Sequence, residues 1–277
     1  MKKVEVVVVG SVAFDSVKTP FGEAERVLGG SASFFSLASS FFAKTGLVGV
    51  VGTDFDEKFV RLFKKKGVDV SGLGRSDGKT FFWKGFYDFD LNTAHSLETH
   101  LNVFSSFKPV LPLAYRGAPF LFLGNISPTL QLEVLSQMEK RPRIVACDTM
   151  NYYIGREPEN VKKVISRSDI ALMNEAEARE LFKTTNLVDA AKKILSLGAK
   201  YAIIKKGEHG SLLFSGKSFF FVPGYPLEKV VDPTGSGDSF AGGLMGFLAS
   251  QKKADEITIR KAMVSASAIA SMNAEQF

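Results

Sequence analysis

Asp232-Pro233-Thr234-Gly235-Ser236-Gly237-Asp238 runs directly into Ser239-Phe240-Ala241-Gly242-Gly243-Leu244, and the fold can be read outward from it. Two glycines and a serine at the start of a predicted helix expose several backbone N–H groups pointing one way. With the positive end of the helix dipole they form a site for an anion. A carboxylate beside such a site is unusual, because a loop that only bound phosphate would exclude one. Phosphoryl transfer needs both: donors for the charge on the moving group and a base for the attacking hydroxyl. The loop alone leaves two readings of Asp238, that base or an acid placed favourably at a helix N-terminus.

The surrounding sequence sets the loop in an alternating pattern. Val4 to Gly10 is a β-branched run suited to a strand buried on both faces. Helical spacing of Phe34, Leu37, Ala38 and Phe41 predicts a helix over 31–42, followed by a strand over 44–51 and an amphipathic helix over 56–66. From Pro119 the order is regular: strands at 120–123, 144–147, 170–173 and 202–205, and helices at 129–139, 161–166, 175–182 and 189–197. Short strands near 212–214 and 218–222 precede helices at 238–249 and 255–271. Such alternation predicts an α/β fold with a mostly parallel central sheet flanked by helices. Residues 68–105 read differently. Thr80-Phe81-Phe82-Trp83-Lys84-Gly85-Phe86-Tyr87 is aromatic and β-prone, and turn-rich sequence follows it, so this stretch is expected to be an antiparallel insertion. Residues 16–28 are expected to add a hairpin to the same small sheet. The whole chain, 1–277, reads as one domain carrying that insertion.

Composition narrows the function classes. With 45% hydrophobic and 23% charged residues the chain is of ordinary globular type. The net charge of +6 is scattered, and its densest runs, Lys64-Lys65-Lys66 and Lys162-Lys163, fall on predicted helices. They read as solvated faces rather than a nucleic-acid surface. Cys147, the single cysteine, lies in an apolar run and reads as a buried thiol rather than a nucleophile. Without a disulfide framework, a signal sequence or an apolar stretch near the ~18 residues of a spanning helix, a cytoplasmic protein away from the membrane is expected.

The 232–238 run resembles the C-terminal signature of the ribokinase family of sugar and nucleoside kinases, also called the PfkB family. Asp232, Thr234, Gly235, Ser236, Gly237, Asp238, Phe240, Gly242 and Gly243 match it. The resemblance extends from residue 4 to about 273. It implies a ribokinase-like fold in which the insertions at 16–28 and 78–95 form a small β-sheet lid and a homodimer contact. It implies Asp238 as catalytic base, with Gly235, Ser236 and Gly237 as the anion hole. Asp15, which alone could be a turn residue, would bind substrate hydroxyls, and Gly29-Gly30 would let substrate lie close to the backbone. Asn174-Glu175-Ala176-Glu177 is similar to the family's Asn-x-x-Glu motif, implying Asn174 near ATP and Glu177 near Mg²⁺ through water. Without the resemblance it is only a helix start with surface glutamates. Lys206-Gly207-Glu208-His209-Gly210 is similar to the nucleotide loop, with Lys206, Gly207 and Gly210 as contacts; His209 reads as a loop residue. Thr234 and Asn273 would border the nucleotide, and Asn125 and Asn151 the substrate. K⁺ is a further cation the resemblance allows, although the sequence given stops at Phe277, short of the segment that helps bind it in many members.

Two positions depart from that pattern. Phe34 stands where the family usually places a sugar-binding asparagine, and Tyr152-Tyr153 follow Asp148-Thr149-Met150-Asn151 in place of an arginine. Phe34 either packs in its helix or stacks on a sugar or base. The acceptor expected is a hydroxymethyl group of a sugar or sugar-like molecule, with a nucleoside as the alternative, Trp83 or Phe34 touching its base. A non-catalytic sugar- or nucleotide-binding regulator is the alternative outside enzymes.

Overall fold

Val6–Val9 forms the first strand, β1, and explains the sheet built around it. Val6 and Val8 pack into one apolar cluster, Val7 and Val9 into another, and all four are fully buried. Side chains on a strand alternate between faces, so an unbroken valine run is what a sheet covered on both sides requires. Each valine contributes about 1.5–3 kcal/mol by burial.

The computed structural model describes residues 3–216 and 218–277. After β1 come β2 (Ala13–Thr19), β3 (Gly22–Gly29), α1 (Ser31–Ser39), β4 (Thr45–Val51), α2 (Glu57–Lys65), β5 (Asp69–Arg75), β6 (Phe81–Tyr87) and β7 (Ala94–His100). The second half runs β8 (Phe120–Leu123), α3 (Pro128–Ser136), β9 (Ile144–Cys147), α4 (Asn151–Arg156), α5 (Pro158–Arg167), β10 (Ile170–Asn174), α6 (Glu175–Phe182), α7 (Leu187–Ser196) and β11 (Tyr201–Lys205). It closes with β12 (Ser211–Ser215), β13 (Phe219–Val222), α8 (Ser236–Gln251) and α9 (Glu256–Ala274).

Among the described residues, one sheet runs β13-β12-β11-β10-β9-β8-β1-β4-β5 and a second runs β3-β2-β6-β7. The first is parallel from β5 to β11, and only β12 and β13 are antiparallel. Strand order reverses at β1, between β8 and β4. In an open α/β sheet the ligand site lies at such a point, beyond the strands' carboxyl ends. Here that places Gly10-Ser11 after β1 beside Gly124-Asn125 after β8: a methyl group built on Gly124 would lie 3.5 Å from the Gly10 Cα.

The expected α/β architecture, a mostly parallel sheet flanked by helices with a second small sheet, is present, with corrections inside it. Residues 68–105 are not all insertion. Asp69–Arg75 pairs parallel with β4 and forms the edge of the main sheet. An edge strand is covered less, so its Asp-Val-Ser-Gly-Leu-Gly-Arg sequence shows no strong apolar period. The small sheet extends from Ala13 to Gly29 and from Phe81 to His100, wider than the expected 16–28 and 78–95, and it is mixed: β2 runs parallel to β6. Asp15, expected in a loop, lies inside β2. No helix among the described residues is long and apolar enough to cross a membrane.

Candidate functional site

Glycines on α8 set the signature loop in place. Methyl groups on Gly242 and Gly246 would come within 2.3 Å of the Phe35 carbonyl oxygen and 2.7 Å of the Ser39 carbonyl oxygen. Only glycine lets α8 lie this close to α1, and that contact fixes where the N-terminus of α8 points. Gly235 caps the helix at φ 75°, the left-handed region that favours glycine. A methyl group on it would lie 2.4 Å from the Phe34 ring, so Phe34 forms the floor under the loop.

The loop is held from several sides. The Thr234 amide donates to Asp232 Oδ1 at 2.8 Å, and the amides of Val231 and Asp232 donate to the Ala274 carbonyl. Asn273, expected beside a nucleotide, donates through Nδ2 to the Thr234 carbonyl at 2.7 Å. Ser236 donates its amide to the Pro233 carbonyl and Ser239 to that of Gly235. The amides of Gly235, Gly237 and Asp238 have no acceptor among the described residues and remain for an anion.

On one side of Asp238 stands a charge cluster. Lys205 Nζ lies 2.5 Å from Asp148 Oδ2, and a methyl group on Gly237 would meet Lys205 Nζ at 3.2 Å. Burial pulls the Lys205 ammonium down, but the charges of Asp148 and Glu177 outweigh it and hold it above its ordinary value. Glu177 is buried and closes a capping box with Asn174: the Asn174 amide donates to Glu177 Oε2 and the Glu177 amide to Asn174 Oδ1, both at 2.8 Å. Burial and the Asp148 charge raise its pKa well above the carboxylate range.

On the other side lie Asp15, Asp232 and Tyr87. Asp15 is 6% exposed and folds back on its own hairpin. A methyl group on Gly29 would lie 2.0 Å from Asp15 Oδ2, and one on Gly30 would lie 2.5 Å from the Ser11 carbonyl oxygen. The double glycine therefore makes room for the protein's own Asp15 and Ser11. Burial, with the charges of Asp232 and Asp238 added, pushes Asp15 up to about 7. Asp238 is likewise pushed up to about 7 by burial and the Asp148 charge, against the pull of Lys205. Strand β6 pairs Trp83 with Asp15, and directly paired residues share a face. The Trp83 ring lies over Gly85, where a methyl group would meet it at 2.3 Å, and its Nε1 donates to Ser96 Oγ.

The structure thus brings together Asp15, Gly29, Gly30, Asn174, Glu177 and the loop from Thr234 to Asp238. Asn125 sits at the reversal point with its Oδ1 buried and unpartnered. Gly207 and Gly210 shape the turn after β11 at φ 56° and 81°, and the Lys206 amide closes it on the Gly210 carbonyl. Asn151 is exposed and donates to Glu180, with no contact to the cluster. Lys205 and Tyr87 were missed as site residues, whereas Asp148 lies in the 148–151 segment already set against the family pattern. Lys205 ends β11 and Asp148 directly follows β9, where the carboxyl ends of the strands face the site, a signal the sequence carried. Cys147 is buried, its thiol pushed up to about 12 by that burial, which fits an inert group.

Among the described residues no three carboxylate, histidine or cysteine side chains gather as a metal cage would require. The free amides and the Lys205 ammonium do suit a polyphosphate, the anion with which a divalent cation would arrive.

Residues 4–276 match the model of the pfkB family carbohydrate kinases. The chain is 32% identical over 247 residues to the cytidine kinase of Thermococcus kodakarensis, covering 87% of each. Its fold is similar to the nucleoside kinase of Methanocaldococcus jannaschii, described as an archaeal member of the ribokinase family, with TM-score 0.78, 19% identity and 99% and 93% coverage. It is also similar to the Salmonella enterica aminoimidazole riboside kinase solved with aminoimidazole riboside and an ATP analogue, with TM-score 0.73, 23% identity and 97% and 93% coverage.

Proposed function

The chain belongs to the pfkB family of carbohydrate kinases, and from that membership we propose that it phosphorylates a hydroxymethyl group of a nucleoside, with ATP as donor. One observation carries the transfer chemistry: the Asp238 carboxylate stands at the junction of three free loop amides, a buried lysine and the acceptor-side acids. A base beside an anion hole is what phosphoryl transfer to a hydroxyl needs.

ATP, when bound, would supply the phosphoryl group, and Glu177 would hold, through water, a divalent cation whose charge would offset that of the nucleotide. Asp238 takes the proton from the attacking oxygen. Asp15 accepts hydrogen bonds from neighbouring hydroxyls and holds that oxygen toward the loop. The amides of Gly235, Gly237 and Asp238 take up developing negative charge without reorganising. Lys205 adds a positive charge next to Gly237 and keeps Asp148 compensated. Phe34 walls the loop from below and excludes water.

Trp83 supports a nucleoside over a bare sugar. Its indole lies against Gly85 on the face that also presents Asp15, and base–aromatic stacking is worth about 1–3 kcal/mol. The cytidine kinase relative points the same way. A simple sugar is the second reading, supported by the family's own description. The exposed strand β7, with Leu97 59% exposed, supports self-association through the small sheet, which the mass in solution would test.

The test is ADP release by the full chain across a panel of ribonucleosides and sugars, with Asp238→Asn in parallel. Turnover of one or more nucleosides that Asp238→Asn loses by orders of magnitude is the expected result. Turnover of sugars alone would replace the nucleoside reading, and turnover that survives in Asp238→Asn would remove the base.

A further inference from the structure

The small sheet reaches the phosphate side of the site through the β6–β7 hairpin. Strand β6 ends at Tyr87, whose phenol oxygen accepts a hydrogen bond from Thr234 Oγ1 at 3.3 Å, across 147 residues of sequence. In the turn that follows, Asn92 comes up against the other donor-side loop: a methyl group on Gly207 would lie 3.2 Å from Asn92 Oδ1. One β6–β7 hairpin therefore touches both loops that follow strands on the nucleotide side, while its β2 neighbour carries Asp15 on the acceptor side. Burial, with Asp232, Asp15 and Asp238 nearby, pushes the Tyr87 phenol up to about 12, so it stays neutral and keeps a proton to donate.

Resting on the kinase reading above, we propose that Tyr87 is a positioning residue, tying Thr234 to the small sheet so that a nucleotide settling on the loop amides of Gly235 to Asp238 is felt at that sheet. The physical case is the placement of Thr234. Its amide is tied to Asp232, its carbonyl to Asn273, and its hydroxyl reaches out of the loop to the small sheet. Removing the phenol oxygen frees the loop on that side alone. The nucleotide can still bind, but its arrival is no longer transmitted to the sheet.

The chain carries its own reporter. Trp83, its only tryptophan, lies on the same strand and the same face as Tyr87, four residues away. The experiment follows Trp83 emission while the full chain is titrated with a non-hydrolysable ATP analogue and Mg²⁺, with affinity measured separately by calorimetry. In the unaltered protein the emission is expected to shift. In Tyr87→Phe the analogue is expected to bind within roughly two- to tenfold of the unaltered affinity, the span of one neutral hydrogen bond, while the shift falls to less than half. Thr234→Val is expected to behave alike, Tyr87→Phe with Thr234→Val no worse than either alone, and Thr234→Ser to restore the shift. A full shift in Tyr87→Phe, additive losses in the double variant, or no shift in the unaltered protein would each overturn the proposal. The kinase reading is decided separately by ADP release from the unaltered protein, which does not depend on Trp83 emission.

Discussion

Lys205 Nζ is held 2.5 Å from Asp148 Oδ2 on one side and lies against Gly237 of the 232–238 loop on the other. The two side chains are 16% and 6% exposed. Such a pair is costly to break from one end, because the partner left behind is a buried charge. Lys205→Met is expected to destabilise the fold by roughly 3–5 kcal/mol and to raise the KM for ATP. Adding Asp148→Asn should return most of the stability and none of the transfer rate. Denaturant melts and initial rates on the unaltered protein and the two variants check this; recovery of both would make the pair purely structural.

The acids of the site set a pH profile. Asp238 and Asp15 are both pushed up to about 7, and a base must be ionised to act. The kcat/KM for the acceptor is expected to rise with pH below about 7 and to level off above it. A flat profile from pH 5.5 to 9 would separate the rate from these carboxylates.

Stability should run the other way. The unfolded aspartates ionise near 4 and the folded ones near 7. Between those values the folded protein holds more protons, so stability falls as pH rises and the full loss is present above pH 7. Asp238→Asn removes one of these charges. At pH 8 it is expected to raise the melting temperature by several degrees, roughly 2–4 °C per kcal/mol relieved, while turnover collapses. An unchanged or lower melting temperature would show that the carboxylate is already compensated.

Trp83→Ala is expected to raise the KM for a nucleoside acceptor by roughly 10- to 100-fold, the worth of one stacked base, and to leave that of a simple sugar unchanged. Steady-state kinetics with both acceptors decide it. Equal effects on the two would place the indole's role in the lid's structure and not in acceptor choice.

The main sheet and the loop at 232–238 were legible because both depend on local pattern. Four valines buried on alternate faces, and glycines forced by a positive φ or by α1 against α8, leave marks that need no tertiary knowledge. β5 was misassigned because an edge strand is covered too little to demand an apolar period. Lys205 was not picked out beside Lys206 for a related reason. Neighbouring strand residues point to opposite faces, and two adjacent lysines give no register by which to choose. Asp148 and Tyr87 owe their importance to contacts with Lys205 and Thr234, 57 and 147 residues away, which no local window contains.

Gly29 and Asp15 constrain each other's replacement. While the aspartate stays folded back, a methyl group on Gly29 would sit 2.0 Å from its oxygen, so a library randomised at position 29 should return glycine and little else. Freed of that carboxylate, as in Asp15→Ala, the same library should widen. Any attempt to retune acceptor choice at the double glycine must therefore vary the two positions as one unit, since neither can be searched alone.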